Sequence, residues 1–199
     1  SITVIENGNW DKLENGGSVL KARDFLTGPF LLLMADHLLE PDIVRSLISQ
    51  RPSNGDIALA VDGDLNNPLA DMTDVTRVSH SSGKVTEIGK GLVRFNAFDT
   101  GAFYCSDVLF DALEYCDHRG DTSLSAAVSR LADQGRVLAV DVTGRTWIDV
   151  DDQAALKKAE SLTMKAVRGK MNDGPVSTYL NRPLSTLISR VLSRYPISP

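Results

Sequence analysis

The stretch Phe30-Leu31-Leu32-Leu33-Met34-Ala35-Asp36-His37-Leu38-Leu39 decides how the chain is read. Four successive apolar residues, Phe30 to Leu33, leave no room for an alternating polar face, and Pro29 before them suits the first position of a strand better than its middle. A strand buried on both faces reads this way, and such strands belong to parallel sheets covered by helices. The run then meets Asp36 and His37, polar groups at the carboxyl end of a hydrophobic strand. Ligands bind at that end in open α/β sheets. A lone buried carboxylate is costly, so Asp36 lies at an edge, caps or pairs with a donor, or holds a cation.

Outward from this strand, the pattern alternates. Ile2 to Ile5 reads as a short strand and Glu6 to Gly17 as a loop, with Asn7-Gly8 and Asn15-Gly16-Gly17 as turn signals. Ser18 is placed to cap a helix carrying Val19, Leu20, Ala22 and Leu26, which Gly28-Pro29 stops. After the buried strand, Pro41 sits in the first turn of a helix with Ile43, Leu47 and Ile48 on one face. Ile57 to Val61 is another apolar strand. Strand, helix, strand in this succession predicts an α/β layer fold: a Rossmann-like, mostly parallel sheet with helices on both faces.

The second half carries shorter elements. Residues 62 to 72 are polar and loop-like, and two extended runs around His80-Ser81-Ser82-Gly83 predict a β-hairpin. A strand over 96 to 104 is interrupted by Asp99-Thr100-Gly101. Helices follow from Ser106 and from Ser123, then a strand over 137 to 142, an extended piece over 147 to 150, and a helix from Gln153 capped by Asp151 or Asp152.

With 199 residues, 42% hydrophobic and 24% charged, the chain has the makings of one domain with a substantial core. Cys105 and Cys116 are too few for a disulfide framework or a zinc site and read as small apolar residues in a reducing compartment. No apolar run reaches the eighteen or so residues that span a bilayer. The net charge of −5 is uneven: residues 163 to 199 carry +5, leaving −10 for the rest. In that basic tail, apolar residues from Val176 to Leu192 recur at helical spacing, so it suits an anionic surface or a terminal helix docked on its own domain.

Chemistry centres on carboxylates. Asp36 and the cluster Asp149, Asp151 and Asp152 sit at ends of predicted strands, and hard cations take oxygen ligands from one or two carboxylates. Capping and solvated turns explain the same residues equally well. Asn15-Gly16-Gly17-Ser18 offers backbone donors at a helix start, suited to a base edge or a phosphate. Gly101 inside an apolar strand marks close approach by a ligand, and Lys90, between two glycines, is a flexible cation that meets a phosphate or a plain surface lysine.

Five motifs in order resemble the sugar-phosphate nucleotidyltransferase family. They are Asn15-Gly16-Gly17-Ser18-Val19-Leu20-Lys21-Ala22, Met34-Ala35-Asp36-His37, Ile88-Gly89-Lys90, Phe98-Asp99-Thr100-Gly101-Ala102-Phe103 and Trp147-Ile148-Asp149-Val150-Asp151. Within the family the chain resembles the CTP:inositol-1-phosphate cytidylyltransferase domain that occurs fused to a membrane CDP-alcohol phosphotransferase. The tail from Asp173 to Ser185 resembles the segment leading into that membrane domain.

The resemblance implies a glycosyltransferase-A-like α/β domain over residues 1 to 168 and a juxtamembrane linker of basic amphipathic helices over 169 to 199. It implies that Asp36 and Asp149 are catalytic and hold Mg²⁺, and that Asn15, Gly16, Gly17, Ser18 and Ala35 border the nucleotide. Lys90, Asp99, Thr100 and Gly101 would face the polyol phosphate. The implied reaction transfers CMP from CTP to inositol 1-phosphate, at the cytoplasmic face of a membrane and without a nucleic-acid partner. It also implies that the family's first strand and Gly-rich triphosphate loop are missing before Ile2, so that the isolated chain turns over poorly. A different sugar-1-phosphate or choline-phosphate nucleotidyltransferase, or a non-catalytic scaffold for the membrane transferase, are the alternatives.

Overall fold

The computed structural model describes residues 2 to 9, 11 to 52 and 55 to 168. The chain divides into two compact units, one of Ser1–Asp149 and one from Val150 onward. The expected amphipathic tail, residues 169 to 199, lies outside the described residues.

In the first unit the elements run α1 (Asn15–Leu20), a 3₁₀ turn (Arg23–Phe25), β1 (Phe30–Leu33), β2 (His37–Leu39), α2 (Pro41–Ser49) and β3 (Ile57–Asp62). They continue with β4 (Arg77–Ser81), β5 (Lys84–Gly89), β6 (Ala97–Cys105), α3 (Val108–Asp117), α4 (Leu124–Asp133), β7 (Val137–Asp141) and β8 (Trp147–Asp149). Six strands form one sheet in the order β1-β6-β3-β7-β5-β4, and β2 with β8 forms a two-stranded ladder. The expected layer fold is there, but the sheet is mixed rather than mostly parallel. Among the described residues only β3 and β7 pair in parallel; β6 runs antiparallel to β1, β3 and β4, and β5 runs antiparallel to β4 and β7. Local apolar patterning cannot separate the two directions once helices cover both faces, because every such strand reads as a continuous hydrophobic run.

The strand buried on both faces is β3, not β1. All six residues of β3 are buried. Ile57, Leu59 and Val61 pack with Leu109, Leu113, Val128 and Leu131 of α3 and α4, whereas Ala58 and Ala60 pack with Ile43 and Leu47 of α2. Alternate side chains of an extended strand point to opposite faces, so one run of six anchors helices on both sides. In β1, Phe30 and Leu32 join the α3–α4 core, but Leu31 and Leu33 are 37% and 43% exposed. Among the described residues β1 pairs with β6 alone.

Other local expectations hold where turn or cap chemistry dictates them. Pro41 starts α2 at its first turn. The Ser123 hydroxyl caps α4 by accepting from the Ala126 N–H at 3.1 Å. The β4–β5 hairpin closes through Ser82 and Gly83, both at positive φ (52° and 74°), the two-residue turn whose twist suits paired strands. In the second unit, Asp152 caps α5 (Gln153–Arg168) by accepting from the Ala155 N–H at 2.6 Å. Residues 2 to 5, by contrast, form no strand, and Ile2 and Val4 are 94% and 82% exposed. Cys105 and Cys116 are buried free thiols, and burial pushes the Cys105 thiol up to about 12.

Candidate active site

Three residues, Met34, Ala35 and Asp36, join β1 to β2, with Ala35 and Asp36 at the centre of the turn. The Met34 N–H donates to the Gly101 carbonyl at 3.0 Å and the His37 N–H to the Met34 carbonyl at 3.3 Å, which turns the chain away from the large sheet. β2 then pairs antiparallel with β8, and the register sets His37 directly opposite Asp149 and Leu39 opposite Trp147. Two aspartates distant in sequence are thereby brought together. His37 Nδ1 lies 2.8 Å from Asp36 Oδ1 and 3.7 Å from Asp149 Oδ1. One ligand atom from each of Asp36, His37 and Asp149 fits within a span of 4.8 Å. This acidic cluster has the oxygen donors and the dimensions to hold a divalent cation.

Lys90 belongs to the same neighbourhood. Its ammonium sits 2.6 Å from Asp74 Oδ1 on the exposed rim, and an Asp74 oxygen lies within 4.8 Å of one from Asp149. The sequence singled out Lys90 but missed Asp74, which stands in a polar loop with no local signal of a site.

The segment Asp99-Thr100-Gly101 does not break β6. Between Leu59↔Phe103 and Val61↔Asp99 the register shifts, so that extra residues of β6 oppose β3. The Thr100 hydroxyl closes the bulge by donating to the Ala60 carbonyl at 2.9 Å, fully buried. Thr100 is thus a buried strand residue whose hydroxyl is taken up by the backbone of β3. Gly101 has φ +74°, and a Cβ there would lie 2.6 Å from Cδ2 and 2.8 Å from Nε2 of His37. The close approach expected of that glycine comes from a side chain of the same chain.

Asp99 Oδ1 accepts from the Gly101 N–H at 2.8 Å. Burial pushes its carboxyl up to about 6, while the Gly101 N–H and the charge of His37 pull it down. The folded chain therefore keeps a proton that the unfolded chain releases, and the stability this group contributes falls as pH rises from about 4 to about 6. The separation bounds the effect at about 3 kcal/mol, and the partial solvent access of Asp99 places it lower. Asp99→Asn is expected to flatten that slope in urea unfolding measured across this pH range. An unaltered slope would assign it to another group.

Asn15 to Ser18 make their contacts elsewhere. Asn15 Oδ1 accepts from the Leu124 N–H at 3.0 Å, the Gly17 N–H donates to the Thr122 carbonyl at 3.1 Å, and the Ser18 hydroxyl accepts from Asn7 at 2.9 Å. Gly16 is buried so tightly that a Cβ would lie 2.6 Å from the Thr122 carbonyl oxygen. These residues seat α1 on the turn before α4, and Ser18 lies inside α1 rather than capping it. The glycines that suggest a nucleotide loop are accounted for by packing.

No family model matches the chain. It is 37% identical over its whole length to a protein of Rubrobacter xylanophilus named bifunctional IPC transferase and DIPP synthase, covering 44% of that protein. It is 33% identical, over 89% of the chain and 39% of the relative, to the Thermococcus kodakarensis protein of the same name. The chain thus spans less than half the length of these relatives. The inositol-1-phosphate CTP transferase from T. maritima superposes with a TM-score of 0.71 at 25% identity, covering 82% of this chain and 66% of that one. A UDP-glucose pyrophosphorylase complexed with UDP-glucose, 14% identical, shares the fold with a TM-score of 0.63 over 77% of this chain and 63% of its own. By these likenesses of sequence and fold the chain belongs to the sugar-phosphate nucleotidyltransferase family, and within it stands with the inositol-1-phosphate cytidylyltransferase domains.

Proposed function

We propose that this chain is a cytidylyltransferase domain that transfers CMP from CTP to inositol 1-phosphate or a similar polyol phosphate, releasing pyrophosphate. The observation that carries the reading is the convergence of Asp36 and Asp149 at the β2–β8 ladder, in a fold superposing on an inositol-1-phosphate CTP transferase. An oxygen of the acceptor phosphate attacks the α-phosphorus of CTP. That P–O bond forms as the bond from the α-phosphorus to the bridging oxygen breaks, and pyrophosphate leaves with the electron pair. Such a transfer asks little covalent chemistry of the protein; it asks for position and for compensation of charge.

Asp36 and Asp149 would hold Mg²⁺, a hard cation that takes carboxylate oxygens such as those gathered here. When bound, that ion neutralises phosphate charge and polarises the phosphoryl oxygens. The exposed Ala35 backbone beside Asp36 is available to border the nucleotide. Lys90 would exchange Asp74 for the phosphate of the acceptor, a pairing of like kind at the same rim. Asp99 and Gly101 hold the neighbouring turn of β6. Asn15 to Ser18 and Thr100 drop out of the binding site in this reading, because their polar groups serve packing.

The second activity in the relatives' names and their length beyond the match support a fused or adjacent CDP-alcohol phosphotransferase. The basic residues 163 to 199 support contact with an anionic membrane surface, at its cytoplasmic face. No helix among the described residues is long and apolar enough to cross a membrane.

Pyrophosphate release by the protein carrying this chain tests the assignment. Each nucleoside triphosphate is paired with inositol 1-phosphate, glucose 1-phosphate or phosphocholine. CTP with inositol 1-phosphate is expected to give the highest kcat/KM; release only with a hexose phosphate would overturn the choice of acceptor.

A further inference from the structure

The imidazole of His37 touches everything at the centre of the cluster, yet its ring nitrogens are not aimed at open space. Nδ1 lies 2.8 Å from Asp36 Oδ1 and 3.7 Å from Asp149 Oδ1. Both neighbours are carboxylate oxygens, which accept when ionised, so the tautomer that satisfies the contact carries its proton on Nδ1 and donates to Asp36. Cδ2 and Nε2 lie over Gly101, at a separation no side chain larger than glycine permits. One face of the ring stacks on Trp147, with centroids 6.3 Å apart and planes 9° apart. Trp147 is itself pinned: its Nε1–H donates to Asp62 Oδ2 at 2.8 Å, and both residues are buried. Asp62 is held in turn by the Asn67 side chain at 2.8 Å and by the Asp64 N–H at 2.9 Å.

Only 12% of the His37 side chain is exposed, whereas Asp36 is 55% and Asp149 27% exposed. A half-exposed aspartate on a turn would sample several rotamers, and each would place its oxygens differently. The donated bond from Nδ1 removes that freedom for Asp36, and the same nitrogen faces Asp149 across the ladder.

We infer that His37 is a positioning residue: held by Trp147 and Asp62 on one side and by the missing Cβ of Gly101 on the other, it fixes the two carboxylates at the spacing a divalent cation requires. This rests on the reading of Asp36 and Asp149 given above. His37 does not ligate the ion in this arrangement, because the nitrogen facing the carboxylates is protonated. Groups that orient metal-binding carboxylates in this way typically change metal affinity roughly 10- to 100-fold when removed.

The test is Mn²⁺ binding to the chain, followed by the loss of the free-ion electron paramagnetic resonance signal, with thermal unfolding of each variant as a control. His37→Phe keeps a ring against Trp147 and removes the donor; it is expected to weaken Mn²⁺ roughly 10- to 100-fold. His37→Asn, whose amide N–H takes the place of Nδ1–H, is expected to restore most of that loss, a recovery that a purely structural role would not give. Gly101→Ala, which displaces the ring, should reproduce the His37→Phe result. Unchanged Mn²⁺ affinity in a folded His37→Phe variant overturns the positioning role while leaving the carboxylate site standing. A directly coupled nitrogen in pulsed spectra of the bound Mn²⁺ overturns it as well, by making His37 a ligand. A wild-type chain that holds no Mn²⁺ overturns both the carboxylate site and the role of His37.

Discussion

Asp36→Ala and Asp149→Ala are each expected to lower pyrophosphate release by about three orders of magnitude or more, while far-UV circular dichroism stays that of the parent. The size follows from the charge these carboxylates would bring against the triphosphate. Loss of a metal's electrostatic contribution costs several kcal/mol of barrier, and about 4 kcal/mol corresponds to roughly a thousandfold. The fold survives because neither side chain belongs to the core: Asp36 is 55% exposed on a turn, and Asp149 ends a three-residue strand. For Asp36 the same exposure argues against a large stability loss, since exposed charge pairs contribute about 1 kcal/mol or less. Full turnover in either variant would remove the metal assignment and, with it, the shared role of the two residues.

The largest effect on stability is expected at Trp147. Its side chain is 2% exposed, packs with Ile43, Leu47, Phe98 and Val140, and supplies the indole N–H that Asp62 accepts. Trp147→Ala removes the packed ring, leaves a cavity beneath α2, and strips a buried carboxylate of one of its three donors. Cavity formation on truncating a large aromatic costs about 3–5 kcal/mol, and the lost hydrogen bond to Asp62 adds to it. Against a total of about 5–15 kcal/mol for a domain, that is a large share. A fall in melting temperature of about 10 °C or more is the expected result in calorimetry. A drop of only a degree or two would mean that α2 and the β2–β8 ladder close over the vacancy.

The parts of the molecule legible in sequence are those whose cause is local. His80 to Gly83 between two extended runs marks a hairpin, Pro41 and Ser123 mark helix starts and Asp151 or Asp152 a cap; the structure has each, with the hairpin turning at Ser82-Gly83 and Asp152 as the cap. The five apolar residues Ile57 to Val61 also read correctly as a strand, which the structure extends to Asp62. What failed depends on partners that a window of sequence does not contain. Phe30 to Leu33 looks doubly buried because four apolar residues in a row give no clue that Leu31 and Leu33 face away from the core. Direction of pairing was misjudged for the same reason: β6 enters the sheet antiparallel between β1 and β3, and nothing in its own residues announces that.

The candidate site divides along the same line. Asp36 and Asp149 stood out as acids at the ends of predicted strands, the family resemblance made them a metal-holding pair, and the structure brings them together through a pairing between β2 and β8. Gly101 was flagged for the right physical reason, close approach, but the approaching group is His37. Asn15 to Ser18 carry a signal with two readings, since Gly-Gly before a helix marks either a ligand cradle or tight packing, and the Leu113, Thr122 and Leu124 atoms around Gly16 give it a packing role. Asp74 and Trp147 lay outside the expected site residues because their importance arises from neighbours more than ten residues away.

The ladder that joins His37 to Asp149 is three residues long on each side. Side chains along a strand alternate between faces, so sliding one strand past the other by a single position would send His37 to the opposite surface from Asp149. Leu39 and Trp147 guard against that slip, since the indole fits its buried socket beside Asp62 in one alignment only. A tryptophan that offers no ligand atom to the cluster therefore works as an alignment pin, and a mutation there would scramble the geometry of the acidic cluster without altering any of its members.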